Sequence, residues 1–132
     1  MATGIAQNVG IARLLALATD AGGTPYNAPP TAPVARVGVG TNDTAPTAAD
    51  GTILGTAVWR VCDTGYPTIV GNSLVFQATF VAGTIVPTVK EVACDNGSAA
   101  HEALIRAVLS VLEQFTPLVT EIPRIRIEIP FQ

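Results

Sequence analysis

The sequence predicts a mainly β protein: an antiparallel β-sandwich, jelly-roll-like, with a short N-terminal helix and a proline-rich arm. Three observations lead there. The segment Arg124-Ile125-Arg126-Ile127-Glu128-Ile129 alternates strictly between isoleucine and charged residues, the period of a strand with one buried face. Short runs rich in valine, threonine and aromatic residues are separated at near-regular spacing by Gly, Pro, Asn and Asp, the pattern of sandwiches and jelly rolls. The chain has 132 residues, 48% hydrophobic and only 13% charged, enough for one domain with a sizeable core.

The elements follow in order. Asn8 is a competent N-cap, and Ile11, Leu14, Leu15 and Ala18 keep helical spacing up to the stop at Gly22-Gly23, predicting a helix over residues 8–19. Pro25, Pro29, Pro30 and Pro33 exclude helix from Thr24 to Pro33 and favour an extended arm. Residues 1–33 are therefore read as helix and arm, and 34–132 as the sandwich. Strands are predicted at Val34–Val39, Thr56–Asp63, Ser73–Val81 and Ile85–Ala93, the last an edge or bulged strand because of Pro87. Turns are predicted at Thr41–Thr44, at Gly71-Asn72 and at Asp95-Asn96-Gly97. Ala99 to Phe115 supports two periods: Leu104, Ala107, Val108, Val111, Leu112 and Phe115 suit a helix, whereas Ile105, Ala107, Leu109 and Val111 alternate against Arg106 and Ser110. Propensity alone places the helix slightly ahead. The predicted core comprises Val37, Val58, Leu74, Phe76, Ala78, Phe80, Ile125, Ile127 and Ile129.

Composition excludes several functions. Seven basic against ten acidic residues give a net charge of −3, which leaves no basic stripe for nucleic acid. The apolar runs fall far short of the ~18–20 residues that span lipid, and no secretory signal opens the chain. High hydrophobicity and low net charge also argue against disorder. With charged residues at about half the usual ~25%, the surface is either solvated by Thr, Gly and Asn or covered by other subunits.

The residues that carry chemistry point to no active site. Cys62 and Cys94 follow apolar residues and read as reduced, buried thiols. With a single histidine and no CxxC there is no zinc pattern. His101 lies near Ser98 and Glu102, yet no nucleophile elbow surrounds the serine. Glu91, Glu102, Glu113 and Glu121 offer carboxylate pairs as any chain does, and Asp43, Asp50 and Asp63 lack calcium-loop spacing. Gly38-Val39-Gly40 lacks the third glycine of a dinucleotide fingerprint and reads as a strand end. Asn42-Asp43-Thr44 reads as an Asx turn rather than a glycosylation site. Trp59 and Phe76 read as core. No catalytic, cofactor or metal residue is expected.

The order of segments carries a resemblance. Asn8-Val9-Gly10 opens a Leu/Ala-rich helix, Val37-Gly38-Val39-Gly40-Thr41 ends an apolar strand, and Thr44-Ala45-Pro46 follows in a loop. Leu54-Gly55-Thr56-Ala57-Val58-Trp59-Arg60, the strand Leu74 to Val81, Lys90-Glu91-Val92-Ala93 and the C-terminal alternating strand complete the order. This resembles the small β-sandwich virion proteins of tailed bacteriophages: capsid decoration or cement proteins, head fibres and tail-fibre attachment domains. The motif match is weaker at Glu91-Val92-Ala93-Cys94 and across Leu104 to Leu109. The resemblance tips Leu104 to Val111 towards strand. It implies a non-enzymatic subunit on the outer capsid surface, assembled in the host cytoplasm, with the major capsid protein and copies of itself as partners, as a homodimer or homotrimer. No nucleic acid or membrane is involved. A tail, baseplate or fibre-attachment subunit is the close alternative, disfavoured because no fibre-like segment follows Gln132; a carbohydrate-binding sandwich is the distant one. Ile11, Leu14, Leu15, Tyr26, Pro29 and Pro30, outside the sandwich pattern, are the candidate partner-binding residues.

Overall fold

The computed structural model describes residues 4–7, 35–85, 87–95 and 103–130. The predicted helix over residues 8–19, the arm over 24–33 and the trio Ser98, His101 and Glu102 lie outside the described residues.

Among the described residues, eight strands form two antiparallel sheets, an arrangement consistent with a β-sandwich. They are β1 (Gly4–Ala6), β2 (Arg36–Gly40), β3 (Val58–Val61), β4 (Thr68–Val70), β5 (Ser73–Thr79), β6 (Glu91–Asp95), β7 (Ala103–Val108) and β8 (Arg124–Pro130). The larger sheet runs β1-β7-β6-β2-β3 and the smaller β4-β5-β8. Thr68–Val70 turns back through Gly71 and Asn72 so that Val70 faces Ser73. Gly71 has a φ of 57°, which a residue without Cβ adopts without strain.

The core lies between the sheets. Val37, Val39, Cys94 and Leu104 from the larger sheet meet Phe76, Ala78 and Phe80 from the smaller, with Ile85 and Val89 filling one end. Val58, Leu74, Ile125, Ile127 and Ile129 pack against this cluster while only half-buried. All nine predicted core residues thus belong to it. Both cysteines are buried and unlinked. Burial raises their thiols, to about 11 for Cys62 and about 12 for Cys94, because a low-dielectric site disfavours thiolate.

One open choice is decided and two predicted elements are corrected. Residues 103–108 take the strand that the resemblance favoured over helical propensity: β7 lies between β1 and β6, and ladder bonds on both edges outweigh that propensity. It ends at Val108, short of Val111. The strand expected at Ile85–Ala93 starts only at Glu91 and sits centrally between β2 and β7. Pro87, which has no N–H for a ladder, is left in the preceding turn. The irregularity lies at its other end: Cys94 pairs with Ile105 but Asp95 with Ala103. Leu104 is the extra residue of a β-bulge, so Leu104 and Ile105 both pack into the core while Ala103 joins the opposite face. Asp95, expected in a turn, is instead the last residue of β6.

Asp63 ties the two sheets together. Its carboxylate accepts the Thr79 N–H at 2.9 Å, the Thr79 hydroxyl at 2.8 Å and the Gln77 amide at 3.1 Å. Its own N–H donates to the Gln77 carbonyl at 2.8 Å. These bonds lie on the part of β5 that β4, paired only with Ser73 to Val75, leaves uncovered.

Candidate interaction surface

The central strands of the larger sheet, β2, β6 and β7, are covered on both faces. Away from the core, Gly38 and Gly40 share a face with Glu91, Ala93 and Arg106, because the ladder sets Gly38 opposite Ala93, Gly40 opposite Glu91, and Ala93 opposite Arg106. Ile53 and Trp59 pack over it; a Cβ on Gly38 would sit 2.6 Å from Ile53 Cδ1 and 2.7 Å from the Trp59 ring. The bare backbone at that position lets the loop over residues 41–57 close on the sheet.

Charge completes the closure. Arg106 is fully buried and donates from Nε to Glu91 Oε2 at 2.7 Å and from one terminal nitrogen to Asp50 at 2.8 Å. Its other terminal nitrogen reaches Asn42 Oδ1 at 3.3 Å and the Thr44 carbonyl at 3.2 Å. Glu91, also fully buried, accepts the backbone N–H groups of Asn42, Leu54 and Gly55 at 3.1, 3.2 and 2.7 Å. Both ions are thus paired and hydrogen-bonded, the condition for burying charge. At the far end Gln7 accepts the Gly51 N–H at 2.8 Å, and the Ala103 N–H donates to the Gly51 carbonyl at 2.8 Å. Thr44 N–H donates to Asn42 Oδ1 at 2.8 Å, the Asx turn the sequence predicts. Glu91 and Arg106 are therefore anchors of a loop, with three of the four bonds of each made to it.

A different region presents unspent apolar surface. After Val108 the chain makes two tight turns before entering β8. In the first, the Glu113 carboxylate accepts the Ser110 N–H at 3.0 Å and its hydroxyl at 2.7 Å, while the Glu113 N–H donates to the Ser110 carbonyl at 2.9 Å. In the second, the Glu121 carboxylate accepts the Leu118 N–H at 2.7 Å, and the Glu121 N–H returns to the Leu118 carbonyl at 3.0 Å. Between them Phe115 forms a bridge with Val89. Each turn holds aliphatic side chains outward: Leu112 is 97% exposed, Val111 83% and Val119 75%, with Leu118 and Ile122 close behind. A shallow groove of mixed lining, Phe115, Pro117, Ile122 and Pro123 together with the charged Glu121 and Arg124, runs beside them.

Exposed aliphatic residues on two turns fixed by reciprocal side-chain clamps are a candidate contact surface. The clamps order the backbone in advance, so binding a partner costs less conformational entropy. Sequence reasoning missed this surface and read Val111, Leu112 and Phe115 as part of a regular element; the Ser110-x-x-Glu113 spacing, a known turn-fixing pattern, is the signal that could have found it. Of the other candidates, Asp43 pairs with Lys90 at 3.1 Å, Phe76 is core, and Trp59 covers Gly38. Ile11, Leu14, Leu15, Tyr26, Pro29 and Pro30 lie outside the described residues. Among the described residues no group of three or more His, Cys, Asp or Glu side chains is placed to hold a metal ion.

Comparison of the chain with models of protein families, with curated proteins and with solved structures gave no match.

Proposed function

We propose that this protein is a non-enzymatic structural subunit of a tailed-bacteriophage virion, a decoration or cement subunit that binds the outer surface of the shell built by the major capsid protein. The observation that carries the reading is the clamped aliphatic crown at Val111, Leu112, Leu118, Val119 and Ile122 on a chain with few charges. Such a surface suits a permanent apolar contact within a symmetric shell. In this reading the domain is a jelly-roll-like sandwich, and its N-terminal helix and proline-rich arm, through Ile11, Leu14, Leu15, Tyr26, Pro29 and Pro30, add a second contact to neighbouring subunits. A carbohydrate-binding role needs exposed aromatic platforms, whereas the large exposed hydrophobic residues among the described residues are all aliphatic.

The test is binding of purified protein to undecorated capsid shells. Leu112→Asp and Val119→Asp place a charge in the crown without touching the core, so both variants should melt like the parent and lose most of their binding. Parent binding should change little with moderate salt, because the contact is apolar. Full-strength binding by both variants, or release of the parent by moderate salt, would refute the assignment.

A further inference from the structure

Among the described residues, the last strand of the smaller sheet has one long edge that no strand pairs. Among the described residues β8 pairs only with β5, and at seven residues it is longer than the other edge strands, β1, β3 and β4, of three, four and three. Its bonding pattern shows which groups face outward. The Phe80 N–H donates to the Pro123 carbonyl at 2.8 Å, in line with the β5–β8 register. Antiparallel pairs alternate, so the odd-numbered residues of β8 bond to β5. Arg124, Arg126, Glu128 and Pro130 turn their main-chain groups to the open edge. Pro130, which has no N–H to offer β5, falls on the outward set as this requires.

We infer that this edge is the site at which two copies of the chain pair, β8 against β8 in antiparallel fashion about a two-fold axis through Ile127. In that register Arg126 lies opposite Glu128 of the second copy, and Glu128 opposite its Arg126. Ile125 meets Ile129, Ile127 meets Ile127, and the Arg124 N–H is placed to reach the second copy's Pro130 carbonyl. Sliding by two residues either way opposes Arg126 with Arg126 or Glu128 with Glu128, and sliding by one sets isoleucine against charge. The strand is self-complementary in one register only. Within one chain Arg126 Nε already donates to Glu128 at 2.7 Å, so pairing two copies makes a ring of four alternating charges. On the other face, Phe76 and Ala78 are fully buried, while the isoleucines beside them, Ile125, Ile127 and Ile129, are covered only in part. Pairing joins the two isoleucine rows and extends each three-stranded sheet to six. Charges on an open edge ordinarily deter pairing; here their order selects one partner, another copy of the same strand. The inference stands on β8 alone and holds whatever the apolar crown binds.

Sedimentation equilibrium of the full chain tests it. The parent should sediment as a dimer. Arg126→Glu brings carboxylate against carboxylate at both cross-strand positions, and Glu128→Arg brings guanidinium against guanidinium; each variant alone should weaken the dimer at least tenfold. An equimolar mixture of the two should restore it, because the mixed pair opposes unlike charges at both positions. Glu128→Pro removes an N–H that β5 does not use, so this variant should keep its fold by circular dichroism and sediment as a monomer. A parent that stays monomeric at the highest concentration reached, or an assembly that all three variants form as readily as the parent, would overturn the inference.

Discussion

Replacing Arg106 by methionine tests the account of the covered outer face most directly. The substitution keeps the unbranched apolar stem but removes the guanidinium from four acceptors: Glu91, Asp50, Asn42 and the Thr44 carbonyl. Breaking a buried ion pair from one side typically costs ~3–5 kcal/mol, because the remaining charge is stranded. Here Glu91 keeps the N–H groups of Asn42, Leu54 and Gly55, which stabilise its carboxylate in part. The lower end, about 3 kcal/mol, is therefore the expected loss. For a chain of this size that lowers the melting temperature by roughly 9–15 °C. Adding Glu91→Gln should then recover part of the loss, about 1–2 kcal/mol, since the amide oxygen still accepts the Asn42 and Gly55 N–H groups and the stranded Glu91 charge is gone, while the amide NH2 facing the Leu54 N–H keeps the recovery partial. Urea titrations of parent, single variants and double variant measure the cycle. A loss below about 1 kcal/mol for Arg106→Met, or strictly additive effects, would show that the network does not hold the loop.

Three further outcomes follow from the fold. Phe76→Ala removes a fully buried ring and should cost ~3–5 kcal/mol, whereas Thr47→Ala gives up only an exposed hydroxyl bond to Asp50 and should cost under ~1 kcal/mol; denaturant melts that rank the two equally would show the core misassigned. Cys62 and Cys94 should react with a thiol reagent at neutral pH only after unfolding, since burial lifts them to about 11 and about 12; rapid labelling of the native chain would contradict their placement. Asp50 and Asp43 are held below their ordinary 3.8, the first by the Thr47 backbone and hydroxyl and then by Arg106, the second by Lys90. A carboxyl lowered by folding contributes stability that is complete above its unfolded value and is lost as pH falls through its folded one. Melting temperature should therefore decline as pH falls through and below the ordinary carboxylate value of 3.8, and less steeply in Asp50→Asn; an acid limb unchanged by that substitution would refute the assignment.

The strands legible in the sequence were those with a strong local pattern. The alternation at Arg124–Ile129 and the apolar run from Ser73 specified β8 and β5, and the Val-Gly-Val-Gly repeat specified β2. β1 and β4, three residues each, are too short to show a period and form because a neighbouring strand offers an edge. β7 had two readings, and the choice lay with β1 and β6 on either side of it, which no local window contains. The crown was misread for the same reason: Val111 and Leu112 are apolar, and an apolar residue in sequence is read as interior unless the clamp that turns it outward is noticed.

The sequence by itself determined parity in the strongly patterned strands: which side chains of β2, β5 and β8 share a face. The strand reading of this segment set Arg106 on the face opposite Ile105 and Ala107, but nothing in the local pattern said what covers that face. Only the tertiary structure decided that this second face is covered, because the covering loop is joined to Glu91 and Arg106 by bonds spanning from 36 to 64 residues of chain. Periodicity is a local property of backbone geometry, whereas burial depends on what the distant chain brings to the surface. A charge that is outward by parity can therefore end in the interior once a loop closes over it with enough partners to replace water.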